Sequence, residues 1–146
     1  LRVDIAGNIS KRFSLSGIEI PRYGGACPRW NVYSAFTTPG KLQAAVSKMS
    51  NGEKYVCIAK TVEKGVGRYG ETKSMLSIGL GCEAKYAKEF VYTENLNVND
   101  KKTEIPIGVS CRTCDRLDCS QRAFPPLHKK FDVDINTRGV SVYVSE

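Results

Sequence analysis

The stretch "SCRTCDRLDCSQRAFPP", residues 110–126, most narrows what this chain can fold into. It holds three of the six cysteines, Cys111, Cys114 and Cys119, within nine residues. Its close, "RAFPP", cannot continue a regular helix or an inner strand, because proline fixes φ and has no backbone N–H to give. The segment is therefore a loop, and the fold has to hold it in place from outside. A packed core does not call for three thiols beside several arginines; an electron-poor centre does.

The spacing is C-x2-C-x4-C. The short step lets two sulfurs face one centre from a single turn, and the longer step brings a third back around. Three thiols leave a four-ligand site incomplete. Cys82, after "GLG", is the natural fourth, with Cys27 and Cys57 as rivals. Cys57 reads as a small core residue in mid-strand, where free cysteines are common. Disulfides need an oxidising compartment. Structural zinc usually takes two separated Cys-x2-Cys knuckles. A triple run with one distant partner is commoner for an iron–sulfur cluster. Spacing thus puts a 4Fe-4S cluster first and leaves zinc or redox thiols open. A thiolate-bound cubane carries a net charge of about −2, which Arg112, Arg116 and Arg122 would offset. Asp115 and Asp118 pull the other way and are expected to face solvent or pair with those arginines.

The rest of the chain reads as short strands and few helices. "RVDI" (2–5) and "SKRFS" (10–14) flank the turn "AGN". A short helix is expected over 28–36, opened by Pro28. "KLQAAVSKM" and "KYVCIAKTVE" are strands joined through Asn51-Gly52, a positive-φ turn signal. Both faces of the second strand are partly apolar, which predicts a sheet covered on both sides. "KSMLSIGLG" is a further strand. Ala84, Ala87 and Val91 recur at helical spacing, which predicts a helix over 82–93 with Cys82 in its first turn. A helix N-terminus there would favour the thiolate. "DINTRG" reads as a turn and "VSVYV" as a last strand. The order is not alternating β-α-β, so the fold class is α+β: a mainly antiparallel sheet, a few short helices and the cysteine-rich loop.

The charge is +7 over 146 residues, which suits an anionic partner or simple solubility. No apolar run is long enough to span a membrane, and the opening residues do not resemble a signal peptide. A cytoplasmic, membrane-free setting is expected. Without an initial Met the chain is read as one ligand-sensing domain, 1–146, cut from a longer protein. Arg22 and Arg29 flank "YGGACP" beside Tyr23 and Trp30. Arginine forks suit phosphates and aromatic faces suit a base or a pantetheine arm. These four residues and Arg122 are the candidate cofactor contacts, with Trp30 and Tyr33 equally readable as core.

Three ordered blocks, "PRYGGACPRWNVYSAF", "SIGLGCEAKYAKEFVY" and "IPIGVSCRTCDRLDCSQRAFPP", resemble the C-terminal region of bacterial short-chain fatty-acid metabolism regulators, which include propionate/methylcitrate-cycle and glyoxylate-cycle regulators. The resemblance covers most of the chain. It implies a GAF-like ligand-sensing domain that holds a 4Fe-4S cluster and binds an acyl-coenzyme A effector. It also implies a helix-turn-helix and a middle region further towards the N-terminus, neither of them present in these residues. DNA would then be bound only through that missing region, and a homodimer is expected of the full-length protein. Carried over, the cluster ligands would be Cys82, Cys111, Cys114 and Cys119.

No catalytic residue is expected. His128 in "PPLHKK" has no orienting partner visible in the sequence, and no nucleophile elbow or paired carboxylates occur. The alternative is a redox or electron-transfer accessory domain with an iron–sulfur or zinc site.

Overall fold

The structure is a computed structural model that describes residues 1–65, 67–128 and 135–136. Among the described residues six strands form one open sheet: β1 (Arg2–Asp4), β2 (Ile9–Lys11), β3 (Gln43–Lys48), β4 (Lys54–Lys64), β5 (Ser74–Glu83) and β6 (Glu104–Pro106). The spatial order is β2-β1-β5-β4-β3-β6. All pairs are antiparallel except β3 with β6, which is parallel. Pro106 sits in the edge strand β6, where its missing N–H breaks no inner ladder. The expected mixed α+β class with a mainly antiparallel sheet is observed.

The β3–β4 hairpin forms at Asn51-Gly52 as expected. Gly52 has φ +92°, and the Met49 N–H donates to the Glu53 carbonyl at 2.8 Å to close the loop. Register runs unbroken from Gln43↔Ala59 to Lys48↔Lys54.

Two helix expectations are corrected. Of the helix expected over 28–36, only Asn31–Ser34 is α-helical (α1), followed by a 3-10 turn over Ala35–Thr37. Cys82 does not open a helix: it lies in β5, opposite Val56 of β4. The expected 82–93 helix is two 3-10 pieces, Ala84–Glu89 and Val91–Thr93. The β4–β5 ladder runs on to Tyr55↔Glu83, so strand pairing claims the residues that would have formed the first turn. Ala84 and Ala87 are three apart, the period of the tighter helix. The expected last strand, 140–144, lies outside the described residues, and of "DINTRG" only 135–136 are described, as a turn.

Alternation along the strands gives the sheet two faces. On one, α1 packs down: a Cβ added at Gly79 would lie 3.2 Å from Val32 Cγ2, so the helix approaches as closely as it does because position 79 has no side chain. Val3, Trp30, Val32, Tyr55, Ala59 and Ile107 centre the core here. On the other face Val46 and Val56 are buried, and the 3-10 piece at Ala84–Glu89 packs against β4 and β5. Further along, Ile78 and Leu80 are 39% and 59% exposed. The expectation of two covered faces therefore holds for one end of the sheet only.

Candidate metal and effector site

The cysteine loop leaves β6 at the sheet edge and is tied down at several points. The Ile107 N–H donates to the Lys48 carbonyl at 2.9 Å, continuing the β3–β6 ladder by one residue. Arg116 Nη2 donates to the Lys48 and Ile107 carbonyls at 3.3 and 3.5 Å. Cys111–Thr113 form a 3-10 turn. This packs Cys114 against Gly108, where an added Cβ would lie 3.0 Å from Cys114 Sγ.

Arg122 organises the inside of the loop. It is buried, and its guanidinium donates to the carbonyls of Cys111 at 2.9 Å, Cys114 at 3.0 Å, Phe124 at 3.5 Å and also Arg116. No ion pair with a carboxylate is found for it among the described residues. A buried cation with only carbonyl dipoles around it is poorly compensated. A negative centre nearby would supply what is missing. Arg122 is thus a scaffold of the loop.

Cys27, one of the rivals for the fourth position, is the cysteine the fold brings to this loop. Its N–H donates to the Val109 carbonyl at 3.0 Å. The N–H groups of Gly108 and Arg29 point at its sulfur. Burial pushes its thiol up, the two N–H groups oppose this, and the neighbouring sulfurs of Cys111 and Cys114 raise it further. Cys111 Sγ accepts the Ala123 N–H at 3.4 Å. Cys119 is buried in the same loop, and its carbonyl accepts the Arg122 N–H at 3.3 Å. N–H donors aimed at sulfur stabilise thiolates in metal–sulfur centres.

Cys82 is elsewhere. Val56↔Cys82 and Cys57↔Gly81 are paired, so Cys82 shares a face with Val56, while Cys57 and Gly81 share the α1 face with Gly79. Cys27 adjoins α1, its carbonyl accepting the Trp30 N–H at 3.1 Å. The structure thus sets Cys82 on the opposite side of the sheet from Cys27. Its surroundings also disfavour a thiolate: burial raises its pKa first, then Glu83 and Glu89. Among the described residues no three of His, Cys, Asp and Glu converge tightly enough to hold a single metal ion.

The acidic neighbours behave partly as expected. Asp115 and Asp118 are exposed. Asp115 pairs with His128 Nε2 at 2.5 Å and not with an arginine, so His128 has an orienting partner after all. Arg112 instead stacks over Phe124, 4.6 Å from the ring centroid.

Comparison with known proteins places this arrangement. Residues 1–143 match the family described as short-chain fatty acyl coenzyme A regulator, C-terminal. The chain belongs to this family. It is 44% identical over 146 residues to the HTH-type transcriptional regulator RamB of Mycobacterium tuberculosis, covering 99% of this chain and 31% of that protein. It is 43% identical over 143 residues to the propionyl-CoA carboxylase regulator of Cereibacter sphaeroides, covering 98% and 31%. A solved structure of a Mycobacterium tuberculosis transcriptional regulator superposes with TM-score 0.86 at 39% identity, covering 95% of this chain and 42% of that one. The chain spans about a third of the length of the relatives, which are transcriptional regulators by name and not enzymes.

In this regulator domain two cavities flank α1. One, of about 290 Å³, lies over the α1 face of the sheet beneath residues 13–20. The other, of about 510 Å³, is lined by Tyr23, Gly24, Gly25, Cys111, Arg112 and Phe124 among others. Trp30 is 7% exposed and donates its indole N–H to the Gly108 carbonyl at 2.9 Å, so it is core first and a wall of the smaller cavity second. Tyr23 is 90% exposed at the larger one. Arg22 and Arg29 line neither cavity. Tyr33 lines the larger cavity; its hydroxyl accepts the Ala26 N–H at 2.9 Å and donates to the Gly7 carbonyl at 3.3 Å, which fixes the glycine loop next to Cys27. No helix of the described residues is long and apolar enough to cross a membrane.

Proposed function

We propose that this chain is the GAF-like effector domain of a cytoplasmic, dimeric bacterial transcription factor for short-chain fatty-acid metabolism, that it binds an acyl-coenzyme A, and that it carries an iron–sulfur cluster. The family match over residues 1–143 carries the reading. In this account DNA is bound through an N-terminal helix-turn-helix region; two of the relatives are named HTH-type transcriptional regulators. Effector binding shifts the population between two arrangements of the domain and so biases that region.

The residues present fit a cluster. Cys27, Cys111, Cys114 and Cys119 are its ligands in this proposal, with Cys27 taking the place that the sequence gave to Cys82. Support comes from the N–H groups aimed at two of the sulfurs and from the buried, carbonyl-bound Arg122. A cubane holds its thiolates further apart than one ion does. When bound, the cluster supplies a negative, redox-capable centre; the chain's own part is to pin the Cys27 turn to the 111–123 loop. The larger cavity, with Tyr23 and the Arg112–Phe124 stack, offers aromatic faces and a guanidinium of the kind that bind a nucleotide.

Anaerobic purification followed by iron, sulfide and zinc analysis, with thermal melts in the presence of coenzyme A thioesters, tests the reading. Brown protein with about four irons per chain and a melt raised by acyl-coenzyme A supports it. Colourless protein with one zinc replaces the cluster, and melts indifferent to every thioester remove the effector.

A further inference from the structure

The uncovered face of the sheet carries residues that do not suit water. Over 76–81, β5 alternates between the two faces. Ser77, Gly79 and Gly81 share the α1 face, and Leu76, Ile78 and Leu80 share the other. The strand thus turns its small residues to the covered side and its large apolar ones to the open side. On β4 the open face continues with Ile58 opposite Leu80 and Val62 opposite Leu76. Val62, Ile78 and Leu80 are exposed. A solvated face of an antiparallel sheet normally carries polar residues at these positions. Lys60, opposite Ile78, is polar, but its stem can lie along apolar neighbours. Arg2 is the other cross-strand neighbour of Ile78, and its Nε donates to Ser10 Oγ at 2.8 Å, towards β2. An apolar patch of this kind in mid-sheet marks a surface that another body covers.

We propose that this face is covered by the part of the regulator that precedes Leu1, which lays an apolar surface on Val62, Ile78 and Leu80. The inference rests on the proposed reading of the chain as the effector domain of a longer regulator. Two observations choose this occupant over a second copy. The matched family is described as C-terminal, and the chain spans 31% of RamB and of the propionyl-CoA carboxylase regulator. In relatives of this kind most of the polypeptide comes before the domain. The second observation is where that polypeptide arrives. Leu1 and Gly79 exchange both backbone hydrogen bonds, at 3.0 and 2.9 Å, in the antiparallel register that Arg2↔Ile78 continues. A strand prolonged backwards in this register puts the residue before Leu1 opposite Leu80, with its side chain on the same face. The incoming chain is therefore delivered to the apolar patch itself. β5 then stands between α1 on one face and the docked region on the other.

The test uses the full-length regulator with the photo-crosslinking residue p-benzoylphenylalanine placed at Leu80. The same probe at Tyr69, which is wholly exposed between β4 and β5, is the control. The expected result is an intrachain product at position 80, absent at position 69, whose second peptide maps before Leu1. In parallel, Leu80→Lys, at a position more than half exposed within the domain, should weaken docking about tenfold or more. Limited proteolysis reads this as faster cutting in the chain just before Leu1, with Leu80→Met cut at the wild-type rate. A product that joins two chains puts a second copy on the face and overturns the proposal. So does a probe at position 80 that captures nothing, or captures only residues 1–146. An unchanged cutting rate in Leu80→Lys overturns it as well. Each of these outcomes leaves the effector reading standing, because thioester binding is measured separately on the same protein. Loss of thioester binding removes that reading and leaves the cross-link untouched.

Discussion

The indole N–H of Trp30 donates to the carbonyl of Gly108 at 2.9 Å, across 78 residues of sequence. This bond joins the start of α1 to the entrance of the cysteine loop. One residue on, Asn31 Nδ2 donates to the Cys57 carbonyl at 2.9 Å and anchors the same turn to the sheet. Helix, loop and sheet thus share one joint, with Cys27 on its loop side and the apolar cavity on its sheet side.

Trp30→Phe removes the donor and leaves a buried carbonyl unpaired. The expected loss is on the order of 1–3 kcal/mol, from the orphaned acceptor and the smaller ring. Denaturant midpoints measure the loss, and limited proteolysis should show the 108–123 loop opening before the β3–β4 hairpin.

Arg122 holds the loop through its bonds to the Cys111, Cys114, Arg116 and Phe124 carbonyls. Arg122→Leu should destabilise the protein by about 3 kcal/mol or more, at the upper range for charged hydrogen bonds. Arg122→Lys keeps the charge but loses the planar fork, and should fall between the two. Equal stability of Arg122→Lys and wild type would show that charge alone suffices.

Burial pushes the Cys57 thiol from its usual 9 up to about 11, with the Ser47 hydroxyl opposing and Cys82 adding to the rise. Below pH 9 this thiol is protonated in both the folded and the unfolded chain. Between 9 and about 11 the unfolded chain gives up its proton first, so stability falls as pH rises through that window. The loss is on the order of 2 kcal/mol. Cys57→Ala should flatten this part of a stability–pH curve, measured as denaturation midpoints from pH 8 to 11.

Much of the fold was legible where the signal is local. Asn51-Gly52 sets a turn that depends on the backbone of two residues, and the hairpin followed. The helix at 82–93 was misread because Ala84, Ala87 and Val91 compete with a ladder whose other half, Tyr55 to Lys64, lies twenty residues and more away. Cys82 was chosen as the fourth ligand for its place after "GLG" and by resemblance; in β5 it faces the other side of the sheet from Cys27. "GGACP" did hold a clue, since a cysteine between a glycine pair and a proline sits in a loop and not in a core strand. Choosing it over Cys82 required knowing which elements the Val109 carbonyl and the Gly108 N–H approach, a matter of tertiary packing. The apolar cavity was invisible in sequence, because its lining comes from the 13–20 segment, α1, β4 and β5, which are distant along the chain.

Iron and sulfide content of anaerobically reconstituted Cys27→Ser and Cys82→Ser, compared with wild type, tests the central claim most directly. The account predicts that Cys27→Ser loses the cluster or holds it incompletely, as Cys111→Ser and Cys114→Ser also should, while Cys82→Ser keeps wild-type content and colour. A Cys82→Ser protein stripped of iron beside a fully loaded Cys27→Ser protein would contradict it.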